Sequence, residues 1–160
     1  MVMKGADLDE IEALYRARFP AFVRTAAAIC GDLESGRDAV QEAFAAAVRE
    51  RATFRGEGTV EAWIWPIVIN KARDRVRRPV ELPGADVEVS ADGHDRESDA
   101  LRMALAALPE RQRIATFLRY YGDLDYEGIA AVLGVSAGTV GATLNAAHAA
   151  LKTRLEEVPS

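Results

Sequence analysis

Apolar residues recur every three or four positions through most of the chain, which is the spacing of one buried helix face. At the start of the first predicted helix, Asp7 and Glu10 have the spacing of a capping pair. Pro20 suits the first turn of a second helix over residues 21–30, and Gly31 suits its end. The apolar positions of the first helix are Ile11, Leu14, Tyr15 and Phe19.

Two more helices are predicted in the first half of the chain. Ser35 and Asp38 predict the start of the third helix, whose apolar residues form pairs that step by four. Residues 51–58 contain two glycines and several charges, which is typical of a loop. Thr59 then caps a fourth helix, in which Pro66 removes one backbone donor and predicts a kink. The apolar positions of these two helices are Ala39, Val40, Ala43, Phe44, Ala47, Val48, Trp63, Ile64, Ile67 and Val68.

The helical pattern stops at residues 79–100, which hold two prolines, two glycines and seven acids. This composition predicts an acidic linker between a helical domain at residues 1–78 and another at residues 101–160. In the second domain, Ser98 or Asp99 caps a helix with leucines on one face, and a second helix over residues 110–121 follows. Those leucines are Leu101, Leu105 and Leu108.

Asp125 predicts the cap of a short helix that ends at Leu133, and the segment that starts at Tyr126 has the spacing of a helix-turn-helix. Gly134 can adopt the positive φ of a tight turn, Ala130 is small where the helices approach, and Ser136 caps the second helix. The inward apolar positions are Ile129, Leu133, Val135, Val140 and Leu144. The alternative is that these residues are only the core of an ordinary helical hairpin. The predicted fold class is all-α, with two small helical domains, the C-terminal one a helix-turn-helix.

Charge is distributed unevenly along the chain. The overall net charge is −5, but the linker alone carries one basic and seven acidic residues. Residues 71–78, in contrast, hold five basic residues and one acid. A local basic cluster of this kind can contact a phosphate backbone even though the whole chain is acidic.

Other function classes find little support in the sequence. The single cysteine, Cys30, cannot form an internal disulfide or a paired-cysteine metal site. No catalytic or phosphate-binding motif accompanies His94 or His148. The longest uncharged run of the C-terminal half is too polar for a membrane span, and no secretory signal is visible. We therefore expect a cytoplasmic, non-enzymatic protein with no cofactor and no metal site.

Two blocks of sequence resemble the extracytoplasmic-function sigma factors, the group IV specificity subunits of bacterial RNA polymerase. The first block resembles their second conserved region, with DAVQEAF at residues 38–44, Trp63-Ile64, and NKARDRVRR at residues 70–78. The second block resembles their fourth region, with LPERQR, LRYY, YEGIA, LGVS and GTV between residues 108 and 140. The resemblance implies a transcription initiation factor that binds core RNA polymerase, recognises promoters and helps to open them. The resemblance also implies an anti-sigma factor as a partner.

The resemblance also implies residue roles in the first domain. Residues that would bind the core polymerase are Asp38, Gln41, Glu42 and Phe44. Residues that would bind the melted −10 element are Phe54, Arg55, Trp63, Asn70, Lys71, Arg73, Arg75, Arg77 and Arg78. An unstacked base could lie on Trp63 or Trp65. The alternatives are a solvated helix face for the acids, a solubilising helix end for the arginines, and core packing for the tryptophans.

The second domain departs from the family pattern. The resemblance implies that its last helix lies in the major groove of the −35 element. Sigma factors of this group usually carry Lys or Arg there, but no basic residue lies between Arg119 and Lys152. The polar side chains left for DNA contact are Ser136, Thr139, Thr143, Asn145 and His148. Three alternatives follow: reliance on other promoter contacts, an unusual −35 sequence, or a sigma-like mimic that binds an anti-sigma or other protein without reading the −35 element.

Overall fold

The computed structural model describes residues 5–77 and 96–157, except for the side chains of Arg77 and residues 96–98. Arg78 and most of the predicted linker at residues 79–100 lie outside the described residues. The described part contains seven α-helices and a short 3-10 helix at Arg51–Thr53. The α-helices are α1 (Leu8–Cys30), α2 (Leu33–Arg49), α3 (Val60–Arg77), α4 (Arg96–Ala106), α5 (Glu110–Tyr120), α6 (Tyr126–Leu133) and α7 (Ala137–Glu156). The predicted all-α class with two helical domains is confirmed.

The first domain is built from α1, α2 and α3, each of which packs against the other two. Its core contains Phe22 and Trp65, whose ring centroids are 4.2 Å apart. Helices α1 and α2 approach closely at Gly36, where a Cβ atom would lie 2.7 Å from the backbone nitrogen of Ala27. The apolar pairs of the third predicted helix step along α2 as expected, and most of them are buried.

Two boundaries predicted in the first domain are wrong. Pro20 does not start a second helix, because α1 runs unbroken through it from Leu8 to Cys30. Proline costs a helix one backbone donor, but its fixed φ is helical, and burial of the neighbouring Phe22 and Val23 outweighs that cost. The cap of α2 is Asp32 rather than Ser35, since the Asp32 carboxylate accepts a hydrogen bond from the Ser35 N–H at 2.7 Å.

Other local signals are confirmed. Gly31 ends α1 with a φ of 99°, and the Thr59 hydroxyl accepts from the N–H of Ala62 at the start of α3. Asp125 caps α6 and Ser136 caps α7. Gly134 takes the left-handed conformation, with φ at 69°, in the turn between those helices.

The second domain consists of α4 to α7 and includes the predicted helix-turn-helix. Helices α6 and α7 meet at a bend of 100°. Their inner faces bury Ile129, Ala130, Val140 and Leu144. Of the leucines predicted to share one helix face, Leu108 is buried, whereas Leu101 is 43% exposed. No single helix of the described ranges is long and apolar enough to cross a membrane, although α6 and α7 pass that test as a bent pair.

The two domains share one hydrophobic cluster. α1 packs against α5, and α3 packs against α6. Buried residues of both domains, such as Trp65 and Leu118, belong to the same cluster. The surfaces through which the two domains meet are therefore buried against each other in this arrangement.

Candidate polymerase and nucleic-acid interfaces

Three of the four residues predicted to bind the core polymerase lie at the protein surface, on the acidic face of α2. Gln41 and Glu42 are exposed, and the side chain of Asp38 keeps 47% of its surface. Asp38 and Glu42 lie four residues apart, so that both carboxylates are on one side of the helix. The arrangement provides an acidic surface that can receive a basic partner.

Phe44, the fourth predicted residue, is not part of that surface. Its side chain packs in the core, where its ring meets those of Tyr15 and Phe22 at 5.0 and 5.2 Å between centroids. Only 6% of the residue is exposed. The prediction that Phe44 contacts the polymerase directly is therefore corrected. Phe44 packs α2 against α1 and so helps to fix the position of the acidic face.

Arg75 of α3 lies against this acidic face. Its Nη2 donates to Asp38 Oδ2 at 2.9 Å, and its Nη1 donates to Glu42 Oε1 at 3.2 Å. The hydrogen bond to Asp38 is the main reason why the pKa of the guanidinium is raised further above its usual value. Arg75 was predicted as a −10 contact, but the structure places its charge on the predicted polymerase-binding residues.

The remaining basic residues of α3 differ in their surroundings. Asn70 is exposed, and Lys71 is partly exposed. Arg73 donates from Nε to Glu110 Oε1 at 2.9 Å, across the boundary between the domains. The side chain of Arg77 and all of Arg78 lie outside the description. Among the cations of this cluster whose side chains the structure describes, Arg73 and Arg75 are therefore held in ion pairs.

The aromatic residues near the start of α3 form a small platform. Phe54 and Trp63 pack with ring centroids 5.5 Å apart. Trp63 is partly exposed, while Phe54 is 9% exposed. Arg55 lies on the exposed loop beside them. Trp65 is fully buried, so the expectation that a base could stack on Trp65 is wrong.

The boundary between the domains is lined by contacts that sequence patterns did not identify. Arg18 of α1 donates from Nη2 to the carbonyl of Gly122 at 2.6 Å and to that of Tyr121 at 3.3 Å. Its Nε donates to Glu61 Oε1 at 3.0 Å. Arg24 lies 4.9 Å from the centroid of the Tyr121 ring, a cation–π contact.

Arg18 did carry a signal in the sequence. It lies at the helical spacing of the apolar stripe that begins at Ile11, where a charged residue requires a buried partner. The partner is the C-terminal end of α5, whose last carbonyls have no N–H donors within the helix and attract a cation. No local pattern in the sequence shows that this end lies beside α1.

The predicted −35 residues lie along the start and the outer side of α7. Ser136 and Thr139 share a hydrogen bond between their hydroxyl oxygens at 2.9 Å, and Ser136 also accepts from the Thr139 N–H. The exposed His148 makes a hydrogen bond of 2.9 Å between Nε2 and the Tyr120 hydroxyl. Thr143 is partly exposed and Asn145 is exposed. Three of the five predicted side chains thus have hydrogen bonds within the domain.

Comparisons with known proteins agree with this layout. Residues 14–79 match the family model for sigma-70 region 2, and residues 98–151 match the model for sigma-70 region 4. The RNA polymerase sigma-E factor of Streptomyces antibioticus is 32% identical, over 96% of this chain and 89% of its own. The ECF RNA polymerase sigma-E factor of Escherichia coli strain K12 is 32% identical, over 74% of this chain and 73% of its own.

Among solved structures, the fold is similar to that of the sigma factor RpoE of Bartonella quintana, crystallised in complex with the anti-sigma factor NepR. The TM-score is 0.77 at 20% identity, over 95% of this chain and 100% of that one. The order of the two regions, the helix-turn-helix and the identity across nearly the whole length agree with one another. The chain therefore belongs to the extracytoplasmic-function sigma factors, the subunits that direct RNA polymerase to promoters.

Proposed function

We propose that the exposed side of α2 docks on the core polymerase while the C-terminal half of α3 holds the melted −10 strand. The observation that carries this proposal is the adjacency of an acidic α2 face and a basic α3 end within one packed domain. Exposed acids that meet a basic partner give register and a faster association more than they give affinity. The polymerase-binding residues are Asp38, Gln41 and Glu42.

Single-stranded −10 DNA would contact α3 and the neighbouring loop. Cations along the helix neutralise phosphates, and an unstacked base lies against the exposed part of Trp63. Replacing Arg73 and Arg77 by Ala should reduce promoter opening and flatten its salt dependence. A salt slope equal to that of the unmodified chain would contradict this role. The proposed −10 set also includes Phe54, Arg55, Asn70, Lys71 and Arg78, whereas Arg75 is held by Asp38 and Glu42.

Contact with the −35 element is expected to be weak and to involve amides and hydroxyls rather than cations. Guanine is read most strongly by Arg or Lys, which α7 lacks at its exposed N-terminal positions. Asn145 is the exposed amide best placed on that helix. Asn145→Ala should lower transcription from some promoters more than from others, as measured in vitro with core polymerase on a random promoter library. A uniform loss would exclude sequence readout by this residue.

A second candidate function is favoured by the same bare helix. A sigma-like mimic would keep the protein-binding surfaces and titrate an anti-sigma factor without directing transcription. The hydrogen bonds that already engage Ser136, Thr139 and His148 favour this alternative, since they reduce the polar groups available to DNA. The promoter-library experiment separates the two functions: specific transcripts support the initiation factor, and their absence with intact core binding supports the mimic.

In either function the chain acts by binding and performs no chemistry of its own. Its place of action is the cytoplasm, where RNA polymerase and promoter DNA are found. The partners would be the core polymerase subunits, promoter DNA and an anti-sigma factor.

A further inference from the structure

Arg75 makes three contacts with α2, one from each of its guanidinium nitrogens. Nη2 and Nη1 donate to the carboxylates of Asp38 and Glu42, and Nε donates to the backbone carbonyl of Ser35 at 3.3 Å. The arginine therefore spans two turns of the helix that is proposed to dock on the polymerase. Neither the sequence pattern nor family membership assigns it this position.

The Arg75 side chain is more buried than the side chains of the two acids. The Arg75 side chain is 26% exposed, whereas those of Asp38 and Glu42 are 47% and 49% exposed. Each carboxylate uses one oxygen for Arg75, which leaves Asp38 Oδ1 and Glu42 Oε2 for another donor. An arginine or lysine from a partner can thus bind Asp38 Oδ1 and Glu42 Oε2 while Arg75 holds the other oxygen of each carboxylate.

Asp38 and Glu42 would repel each other without a cation between them, because like charges four residues apart lie side by side on a helix. Free carboxylates would sample several rotamers, and a partner would have to immobilise each of them on binding. Arg75 reduces the repulsion between the carboxylates and restricts their rotamers before the partner binds.

We propose that Arg75 is a positioning residue that presents Asp38 and Glu42 as a fixed pair of acceptors to arginine or lysine side chains of the core polymerase. This inference rests on the docking face proposed above. The contact with the Ser35 carbonyl favours retention of Arg75 in the complex, because displacement of Arg75 from the acids would also break its hydrogen bond to that backbone oxygen.

If Arg75 instead competed with the partner for the acids, its removal would strengthen binding to the core polymerase. Simple electrostatics also predicts that removal of a positive charge beside the acids strengthens attraction to a basic partner. A positioning role predicts that the same removal weakens binding. The sign of the effect therefore decides between the alternatives.

The test measures the affinity of the full-length chain for core RNA polymerase in the absence of DNA, by competition against a labelled unmodified chain. The variants are Arg75→Ala, Arg75→Lys and Asp38→Asn, with Arg16→Ala as the control, because Arg16 is an arginine of α1 that is 77% exposed and has no proposed binding role. We expect Arg75→Ala and Asp38→Asn each to weaken binding about tenfold, the order expected when one or two ordered side chains must be immobilised again. Arg16→Ala should change the affinity less than twofold, and the affinity of Arg75→Lys should fall between those of the unmodified chain and Arg75→Ala.

Unchanged or tighter binding by Arg75→Ala, with Asp38→Asn still weakened, would overturn the positioning role and leave the docking face intact. Unchanged binding by Asp38→Asn would overturn the docking face and the inference together. Circular dichroism and thermal unfolding of each variant identify any loss of fold. If Arg75→Ala does not fold, Arg75→Lys carries the test, because it keeps the charge but loses the fixed fork of donors.

Discussion

Arg73 and Glu110 form an ion pair of 2.9 Å that joins the basic helix of the first domain to the first turn of α5 in the second. The Arg73 side chain is 34% exposed and that of Glu110 is 49% exposed. A phosphate that approaches Arg73 must therefore compete with a carboxylate already in place. The packing of the two domains and the contact of α3 with DNA are linked through this one guanidinium.

Glu110→Gln should strengthen binding of single-stranded −10 DNA, because it frees Arg73 from its competitor. Exposed ion pairs contribute about 0.2–1 kcal/mol, so the affinity should rise by up to about fivefold at low salt. Fluorescence anisotropy with a labelled oligonucleotide measures it. Glu127→Gln on α6 removes the same charge from an exposed position and is the matched control. Equal gains in the two variants would show a general charge effect instead.

Arg18→Ala should destabilise the chain by about 1.5–3 kcal/mol, the range for hydrogen bonds to charged groups. The loss arises because the carbonyls of Tyr121 and Gly122 and the carboxylate of Glu61 lose a shared donor. Urea unfolding followed by circular dichroism gives the free energy. Arg16→Ala is the control, since Arg16 is 77% exposed and pairs only with Glu12 in the same helix among the contacts described. A similar loss in both variants would contradict an interdomain role for Arg18.

Gly122→Ala should be among the more destabilising substitutions, at above about 2 kcal/mol. A Cβ atom there would lie 2.7 Å from the Leu118 carbonyl oxygen and 3.2 Å from Cζ2 of Trp65. Gly138→Ala provides the contrast, because its Cβ would meet nothing closer than the Ser136 hydroxyl oxygen at 3.8 Å. Helix propensity makes that change neutral or stabilising by up to about 1 kcal/mol. Denaturant midpoints for the two variants should move in opposite directions or differ widely; equal shifts would argue against close packing at Gly122.

Cys30 should be a slow thiol near neutral pH. Burial, with a smaller contribution from Asp32, raises the pKa of its thiol to about 11. Since only the thiolate reacts, alkylation by iodoacetamide at pH 8 should be about a hundredfold slower than for an exposed cysteine. The rate should keep rising up to pH 11. A plateau near pH 9 would show that the thiol is not held in this environment.

The raised pKa of Cys30 also predicts how the stability of the fold changes with pH. A group whose pKa is higher in the folded than in the unfolded chain stabilises the fold below the unfolded pKa and loses that contribution as the pH rises through the folded value. For Cys30 the loss falls between pH 9 and about pH 11. Cys30→Ala should remove this component from the pH profile of unfolding. A profile that Cys30→Ala leaves unchanged would exclude the thiol as its source.

The features predicted well from sequence are those whose cause is local. The caps at Thr59, Asp125 and Ser136 each act on a backbone N–H three residues away, and Gly134 needs no partner to adopt its φ. Residue type and spacing are enough for such interactions. The sigma-factor motifs are likewise contiguous, so that they identify the two regions directly.

The features that were missed depend on contacts between distant parts of the chain. Arg75 and Asp38 are 37 residues apart, and Arg18 and Gly122 are 104 apart. Nothing in the spacing of α3 shows which of its cations faces another helix and which faces solvent. Pro20 is a related case: its local preference for a helix start is overridden by burial of the residues that follow it, which only the packed domain determines.

The placement of the two tryptophans gives this protein a built-in optical signal. Trp63 is partly exposed beside the loop, whereas Trp65 is fully enclosed next to Gly122. Separation of the domains would wet the Trp65 indole and shift its emission to longer wavelength, while Trp63 would be quenched by a base stacked on it. In a Trp65→Phe variant Trp63 is the only tryptophan that fluoresces, so comparison with the unmodified chain separates the emission of the two tryptophans. Opening of the molecule and capture of DNA are then measurable as separate events in one unlabelled sample.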